Sequence, residues 1–303
     1  RLLFALNVLQ YALLVLLYGL RALRHPRRCL GDLADHARGP GYFTIVAGTG
    51  ILASQCLVLQ GEARIAWGLH GLALLAWLVL TYAIFAAFTV RRDKPGLAQG
   101  LSGVWLLAVV ATQSLAVTGA LLGAQAPAAL RPALDLLSLA LWLWGGMLYL
   151  MVMALIFYRC MFLRLDPGDL SPPYWITMGA MAISTLAGAQ LLLNAPHAPL
   201  LQALRPFLMG VTLLYWAAGS WWIPLLLVLG VWRHGLQRLP IRYDPQYWAM
   251  VFPLGMYAAA TGRMSEALGL DVLHGLPQAA WWIALLAWAL TFAGMLRRLV
   301  RLS

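Results

Sequence analysis

The chain has 303 residues, of which 62% are hydrophobic and 10% charged, with a formal net charge of +11. A soluble domain carries about 25% charged residues, and no soluble core of this size hides so much apolar surface. The composition excludes a soluble globular protein, and the weak alternation of a membrane β-barrel is absent. The fold class expected is therefore an all-α polytopic membrane protein, built of helical hairpin repeats around a central pore.

Apolar runs of about 20 residues, the length that spans a bilayer as a helix, alternate with short basic connectors. Nine spans are predicted, over 2–23, 41–60, 64–90, 101–124, 132–162, 173–194, 201–233, 246–267 and 277–300. Together they form one transmembrane domain over 1–303, read as an orphan helix 2–23 and hairpins 41–90, 101–162, 173–233 and 246–300. The 14 tryptophans and 11 tyrosines suit interfacial belts. Cys29, Cys56 and Cys160 have neither paired nor metal-like spacing. The chain opens at Arg1, with no methionine and no visible signal peptide, so residues are expected upstream.

Charge sorts the connectors into two sets. The first, third, fifth and seventh, with the C-terminal end, hold 16 of the 21 Lys and Arg residues, among them Arg27, Arg91, Arg164, Arg233, Arg242 and Arg297. The other set holds Arg1, Arg64, Arg131, Arg205 and Arg263. The positive-inside rule places the first set and the C-terminus in the cytoplasm of a multi-pass inner (plasma) membrane protein. The basic residues thereby serve orientation, and no nucleic-acid partner is implied.

A repeat underlies the spans. Helix starts recur at Tyr42-Phe43-Thr44, Val104-Trp105-Leu106, Tyr174-Trp175-Ile176 and Tyr247-Trp248-Ala249, spaced 62, 70 and 73 residues apart. Each start opens a helix rich in small and hydroxyl residues, followed by a second helix richer in Leu and Trp. A repeat of this length is one helical hairpin. Four hairpins leave the span 2–23 as a second-type helix without its partner, and a tenth span is expected upstream of Arg1.

The small-residue helices are candidates to line a polar path. Thr44, Thr49, Thr112, Gln113, Ser114, Thr177, Ser184, Thr185 and Thr261 offer uncharged donors to an ion. No carboxylates are expected within the spans to form a cation filter, and a basic rim concentrates anions. The ordinary alternative is helix packing, in which small and hydroxyl residues serve close contact. His25, His36, His70, His197, His234 and His274 fall in loops or near helix ends, which disfavours paired haem ligation and reads His70 as interfacial. No metal or other cofactor is expected. Phe252-Pro253 lies within the last small-residue helix, where proline removes a backbone hydrogen bond and the adjacent phenylalanine forms either a hydrophobic constriction or an ordinary packing side chain.

The segments Gly41 to Leu52 and Tyr174 to Ile183, with the helix bearing Phe252-Pro253-Leu254-Gly255, resemble the tellurite-resistance/dicarboxylate transporter family. That family includes TehA, the yeast malate permease and sulfite efflux pump, and the plant slow anion channels. The resemblance implies ten helices in five hairpins, a central pore lined by the odd-numbered helices, and a homotrimer. It also implies a phenylalanine gate on the ninth helix, matched here to Phe252. Two departures stand out: the first pore helix lies outside the sequence, and the second repeat has no proline or mid-helix glycine before Gly119.

The leading expectation is a passive channel or carrier for small anions in membrane lipid: chloride or nitrate, sulfite, tellurite or C4-dicarboxylates. Dicarboxylates rank lower, since no membrane-embedded Arg or Lys was identified for a second carboxylate. The alternative is a non-transporting helical scaffold or enzyme subunit.

Overall fold

The computed structural model describes residues 2–301; Arg1, expected on the less basic side, lies outside them. Bilayers admit helices because every backbone polar group must be satisfied within the segment. The long helices among the described residues are α1 (Leu2–Arg24), α2 (Phe43–Gln60), α3 (Ala63–Val90), α4 (Leu107–Gln125) and α5 (Arg131–Phe162). They continue with α6 (Ile176–Asn194), α7 (Arg205–Val231), α8 (Trp248–Leu268) and α9 (Leu276–Val300). These nine match the predicted spans in number and place. By length and composition eight are apolar enough to cross a membrane, and α8 is not among them. Its glycines, Thr261, Arg263, Ser265 and Glu266 dilute its apolar character.

The aromatic helix starts have a structural counterpart. Each of α2, α4, α6 and α8 is entered through a single 3-10 turn, Gly39–Tyr42, Gly103–Leu106, Pro172–Trp175 and Pro245–Tyr247. Helices α2 and α8 end where Gly61 and Gly269 take left-handed backbone angles (φ 71° and 66°), a conformation that closes a helix at little cost only for glycine.

Helices α2, α4, α6 and α8 form an inner layer. They pack in that order, α2 on α4, α4 on α6 and α6 on α8, whereas α2 and α8 are not a packing pair. Nearly every residue of α4 and α6 is buried. Their small residues permit this approach. A Cβ at Gly50 would lie 2.8 Å from Ser114 Oγ, and one at Gly179 only 2.6 Å from Pro253 Cγ. The outer helices are greasy by contrast. Leu75, Leu78, Leu150, Leu214, Trp281 and Leu286 are exposed on α3, α5, α7 and α9, where lipid tails solvate them.

One lateral contact recurs between the layers. Tyr11 of α1 shares a hydrogen bond with Thr49 of α2 at 2.8 Å. Trp77 of α3 donates to Thr112 Oγ1 of α4 at 2.8 Å. Trp142 of α5 donates to the Ser184 carbonyl of α6 at 2.8 Å, and Trp216 of α7 donates to Thr261 Oγ1 of α8 at 3.1 Å. Helices α1, α3, α5 and α7 thus each hydrogen-bond the inner helix that follows in the chain. Replacing Trp77 or Trp216 by Phe removes one such bond and keeps most of the packing. The expected loss is about 0.5–1.5 kcal/mol of unfolding free energy for each, measured by denaturant titration in detergent. No loss in either variant would show the contacts to be incidental.

Candidate anion pathway

The basic connectors meet at one end of the bundle. Arg91 donates to the Ala34 carbonyl at 2.7 Å, Arg298 to the Tyr243 carbonyl at 3.4 Å, and Arg233 to the Leu170 carbonyl. These contacts cross-link connectors that are far apart in sequence. Between the starts of α4, α6 and α8 lies an open cavity of about 840 Å³, with Ser102, Arg159, Arg233, Arg242 and Tyr247 in its lining.

The cationic groups in this vestibule differ in their commitments. Arg159 is buried, donates to the Tyr174 hydroxyl, and lies 3.4 Å from the Asp169 carboxylate. Arg164 pairs with Asp166 at 3.3 Å. Arg242 has no ion pair or side-chain hydrogen bond among the described residues, so its guanidinium fork is open to an anion. The carboxylates present are Asp166, Asp169 and Asp244; the last accepts from the Gln246 backbone N–H at 2.8 Å. Such a mouth attracts anions without holding them in a fully charged cage.

Past the vestibule the predicted lining residues fall in two places. Thr44 is exposed and donates to the Gly41 carbonyl at 2.7 Å. The other eight are buried. Thr49 bonds Ile45 O and Tyr11, while Thr112 bonds Ala108 O and accepts from Trp77. Gln113 donates to the Trp142 carbonyl at 3.0 Å and lies against Gly145, leaving its side-chain oxygen without a protein partner. Ser114 bonds Ala111 O, Thr177 bonds Tyr174 O, Ser184 bonds Ala180 O and Thr185 bonds Met181 O. Thr261 accepts from Trp216. These side chains occupy seams between helices, and their hydroxyls are largely satisfied by the preceding turn.

The accessible faces of the inner layer lie on its two end helices. On α2, Thr44 and Gly48 are exposed and Ile51 half-buried; on α8, Ala259 is exposed while Phe252, Met256 and Arg263 are half-buried. Both sets follow helical spacing of three or four residues. Phe252 is five residues beyond Tyr247 of the vestibule, an axial rise of about 7.5 Å. Pro253 is buried on Gly179 of α6 and lies within an uninterrupted helix. Its ring anchors α8 to α6 at the turn that carries Phe252.

Three residues behave differently from their sequence reading. His70 is buried at 4% exposure, so it is not an interfacial histidine. Arg159, counted with the connectors, is equally buried in the last turn of α5. Asp135, one turn into α5 where it reads as a helix-start charge, is 2% exposed, so the spans are not free of carboxylates as expected. Only helix spacing could have flagged it, since Leu134, Asp135, Ser138 and Trp142 share a face that proves to be inward.

Residues 1–296 match the family described as voltage-dependent anion channel (SLAC1). The chain belongs to that family. Its members are transport proteins of the membrane, not enzymes. An uncharacterized membrane protein of Mycobacterium tuberculosis is 39% identical over 152 residues, covering 50% of this chain and 77% of the relative. Two uncharacterized transporters of Methanocaldococcus jannaschii extend the likeness to nearly the whole chain. One is 21% identical over 297 residues, covering 96% of this chain and 82% of its own length. The other is 22% identical over 302 residues, covering 95% and 81%.

A second basic site ties α1 to the start of α2. Asp32, in the short helix Pro26–Leu33, bridges Arg38 at 2.9 Å and Arg21, beside a cavity of about 380 Å³ that includes Tyr18 and Tyr42. The Arg38 hydrogen bond, helped by Arg21, holds the Asp32 carboxyl below the usual carboxylate range. A depressed carboxylate stabilises the fold above its unfolded value of about 3.9, and the contribution disappears as pH falls through the lower folded value. Asp32→Asn is therefore expected to lower the melting temperature at pH 7, and the deficit to shrink progressively as pH falls below about 3.9. A deficit that persists unchanged at acid pH would contradict the ion-pair account.

Proposed function

We propose that the protein passes small anions across the membrane, from the basic vestibule along the inner helices and past Phe252, which acts as the gate. The observation that carries this reading is the vestibule itself: a basic cavity, with Arg242 unpaired, at the starts of three inner helices. Membership in the anion channel family supports it. By the positive-inside rule the vestibule and the C-terminus face the cytoplasm of an inner (plasma) membrane. The proposed assembly is a homotrimer with one path per protomer.

Monovalent anions such as chloride and nitrate fit best, with sulfite and tellurite behind them and C4-dicarboxylates last. The inner helices offer hydroxyls, amides and small residues, a lining for weak multi-site contact in place of tight selection. Thr44 and Phe252, on partly open faces, are the proposed contacts nearest the ion. Thr49, Thr112, Gln113, Ser114, Thr177, Ser184, Thr185 and Thr261 set the spacing of the inner helices that bound the path.

A scaffold reading has one observation in its favour: Thr112, Ser184 and Thr261 are buried and hydrogen-bonded. Flux from proteoliposomes separates the two. Phe252→Ala is expected to raise nitrate and chloride flux by about tenfold, the effect of lowering a barrier by about 1.4 kcal/mol. Malate flux is expected to rise less. Folded protein with no flux in wild type or variant would favour the scaffold.

A further inference from the structure

At the end of the bundle opposite the vestibule, a group of polar side chains is buried around the last turns of α4. A Cβ at Gly119 would lie 2.4 Å from Ser138 Oγ of α5 and 3.5 Å from His70 Cε1 of α3. One turn on, a Cβ at Gly123 would lie 3.1 Å from Asp135 Oδ1 of α5 and 3.9 Å from Asn194 Nδ2 of α6. Four helices thus converge on two glycines, which leave room for the side chains.

The hydrogen bonding of this group is incomplete. Both ring nitrogens of His70, both carboxyl oxygens of Asp135 and the Ser138 hydroxyl are buried with no protein partner. The Asn194 amide, beside Asp135, donates to the Ala120 carbonyl at 2.7 Å, and Gln190 donates to Asn194 at 3.4 Å. Arg131, on the helix of Asp135, directs its Nε to the Gly123 carbonyl at 3.2 Å and forms no ion pair with the carboxylate. Of the other charged or titratable groups at this end, Glu62, Arg64, His197, Arg205, Glu266, Asp271 and His274 are exposed, Arg263 of α8 is half-buried, and Cys56 of α2 is buried. The segments α4, α6 and Pro199–Ala203, which pack on α5 at this end, bring no further titratable side chain.

Small residues packed for closeness do not need a carboxyl, an imidazole and a hydroxyl at one place. An ionisable side chain inside a membrane bundle is costly and marks ion or proton handling. A proton is the smallest ligand that supplies what is missing. Bound to one Asp135 oxygen, it removes the buried charge and turns one acceptor into a donor. Arg131 and the 126–130 turn lie one helical turn away, so water at that surface is close.

We propose that Asp135, with His70, Ser138 and Asn194, forms a proton-binding site loaded from the aqueous phase opposite the vestibule, and that its proton moves with the anion. The step is a simple transfer. A hydronium O–H bond breaks, an O–H bond forms on an Asp135 oxygen, and a water molecule is left; release reverses it. The coupling rests on the anion-pathway reading above, whereas the site does not.

Two readouts on the full chain test this separately. Infrared difference spectra between acid and neutral pH, recorded in lipid nanodiscs, should show a protonated-carboxyl C=O band. The other carboxyls of the chain contribute to it too, so Asp135→Asn should remove one component of the band, and the midpoint of that component should shift in His70→Gln. Asp135→Asn removes a buried charge at nearly constant shape, and the His70 variant guards against a single failure to fold. Unchanged spectra in both variants would overturn the site. In proteoliposomes with the potential clamped by potassium and valinomycin, nitrate uptake by wild type should acidify the lumen. Asp135→Asn should carry nitrate with at least a severalfold smaller pH change. Equal acidification by both would overturn the coupling. Absence of nitrate flux from every variant counts against the anion pathway instead, and the infrared comparison then decides the proton site alone.

Discussion

Close approach of the inner helices depends on what is missing from their seams. Lipid tails are as apolar as leucine, so no hydrophobic gain drives helices together within a bilayer; contact must come from packing and hydrogen bonds. The glycines facing Ser114, Pro253, Gln113 and Ser138 let backbones and polar groups meet at distances a Cβ would forbid. The lateral bonds from Tyr11, Trp77, Trp142 and Trp216 then fix α1, α3, α5 and α7 to their inner neighbours. Gly179 under Pro253 sets where α8 stands, and so where Phe252 stands.

The two ends of this framework are chemically unlike. One gathers arginines around a cavity of about 840 Å³ and ties its connectors together through backbone carbonyls. The other buries Asp135, His70 and Ser138 around Gly119 and Gly123. On the proposed path an anion would meet positive charge at the first end, and an ionisable carboxyl lies buried near the second. Fixed positive charge raises the local anion concentration, whereas a carboxyl at the far end opposes an anion unless it carries a proton. This asymmetry gives a physical reason for a protein of an anion channel family to keep an acid in its bundle.

Much of this was legible in the sequence, because spans and connectors depend on local composition. The aromatic starts at Tyr42, Trp105, Tyr174 and Tyr247 marked the 3-10 turns that open the inner helices. The hydroxyl pattern was also visible, but its destination was not. Thr112 and Thr261 could not be assigned to a seam without the tryptophans that bond them, which come from other repeats. Asp135 and Arg159 sit within a turn of a helix end, where sequence alone cannot separate an interfacial charge from one covered by neighbouring helices. Burial there is decided by four helices at once.

Anion passage from the basic mouth past Phe252 is tested most directly by tracer uptake into proteoliposomes, with labelled nitrate and a labelled potassium analogue compared. Nitrate uptake is predicted to exceed that of protein-free liposomes several-fold, with no uptake of the cation above that background. Cation uptake equal to that of nitrate would contradict this reading, as would folded protein that passes no nitrate.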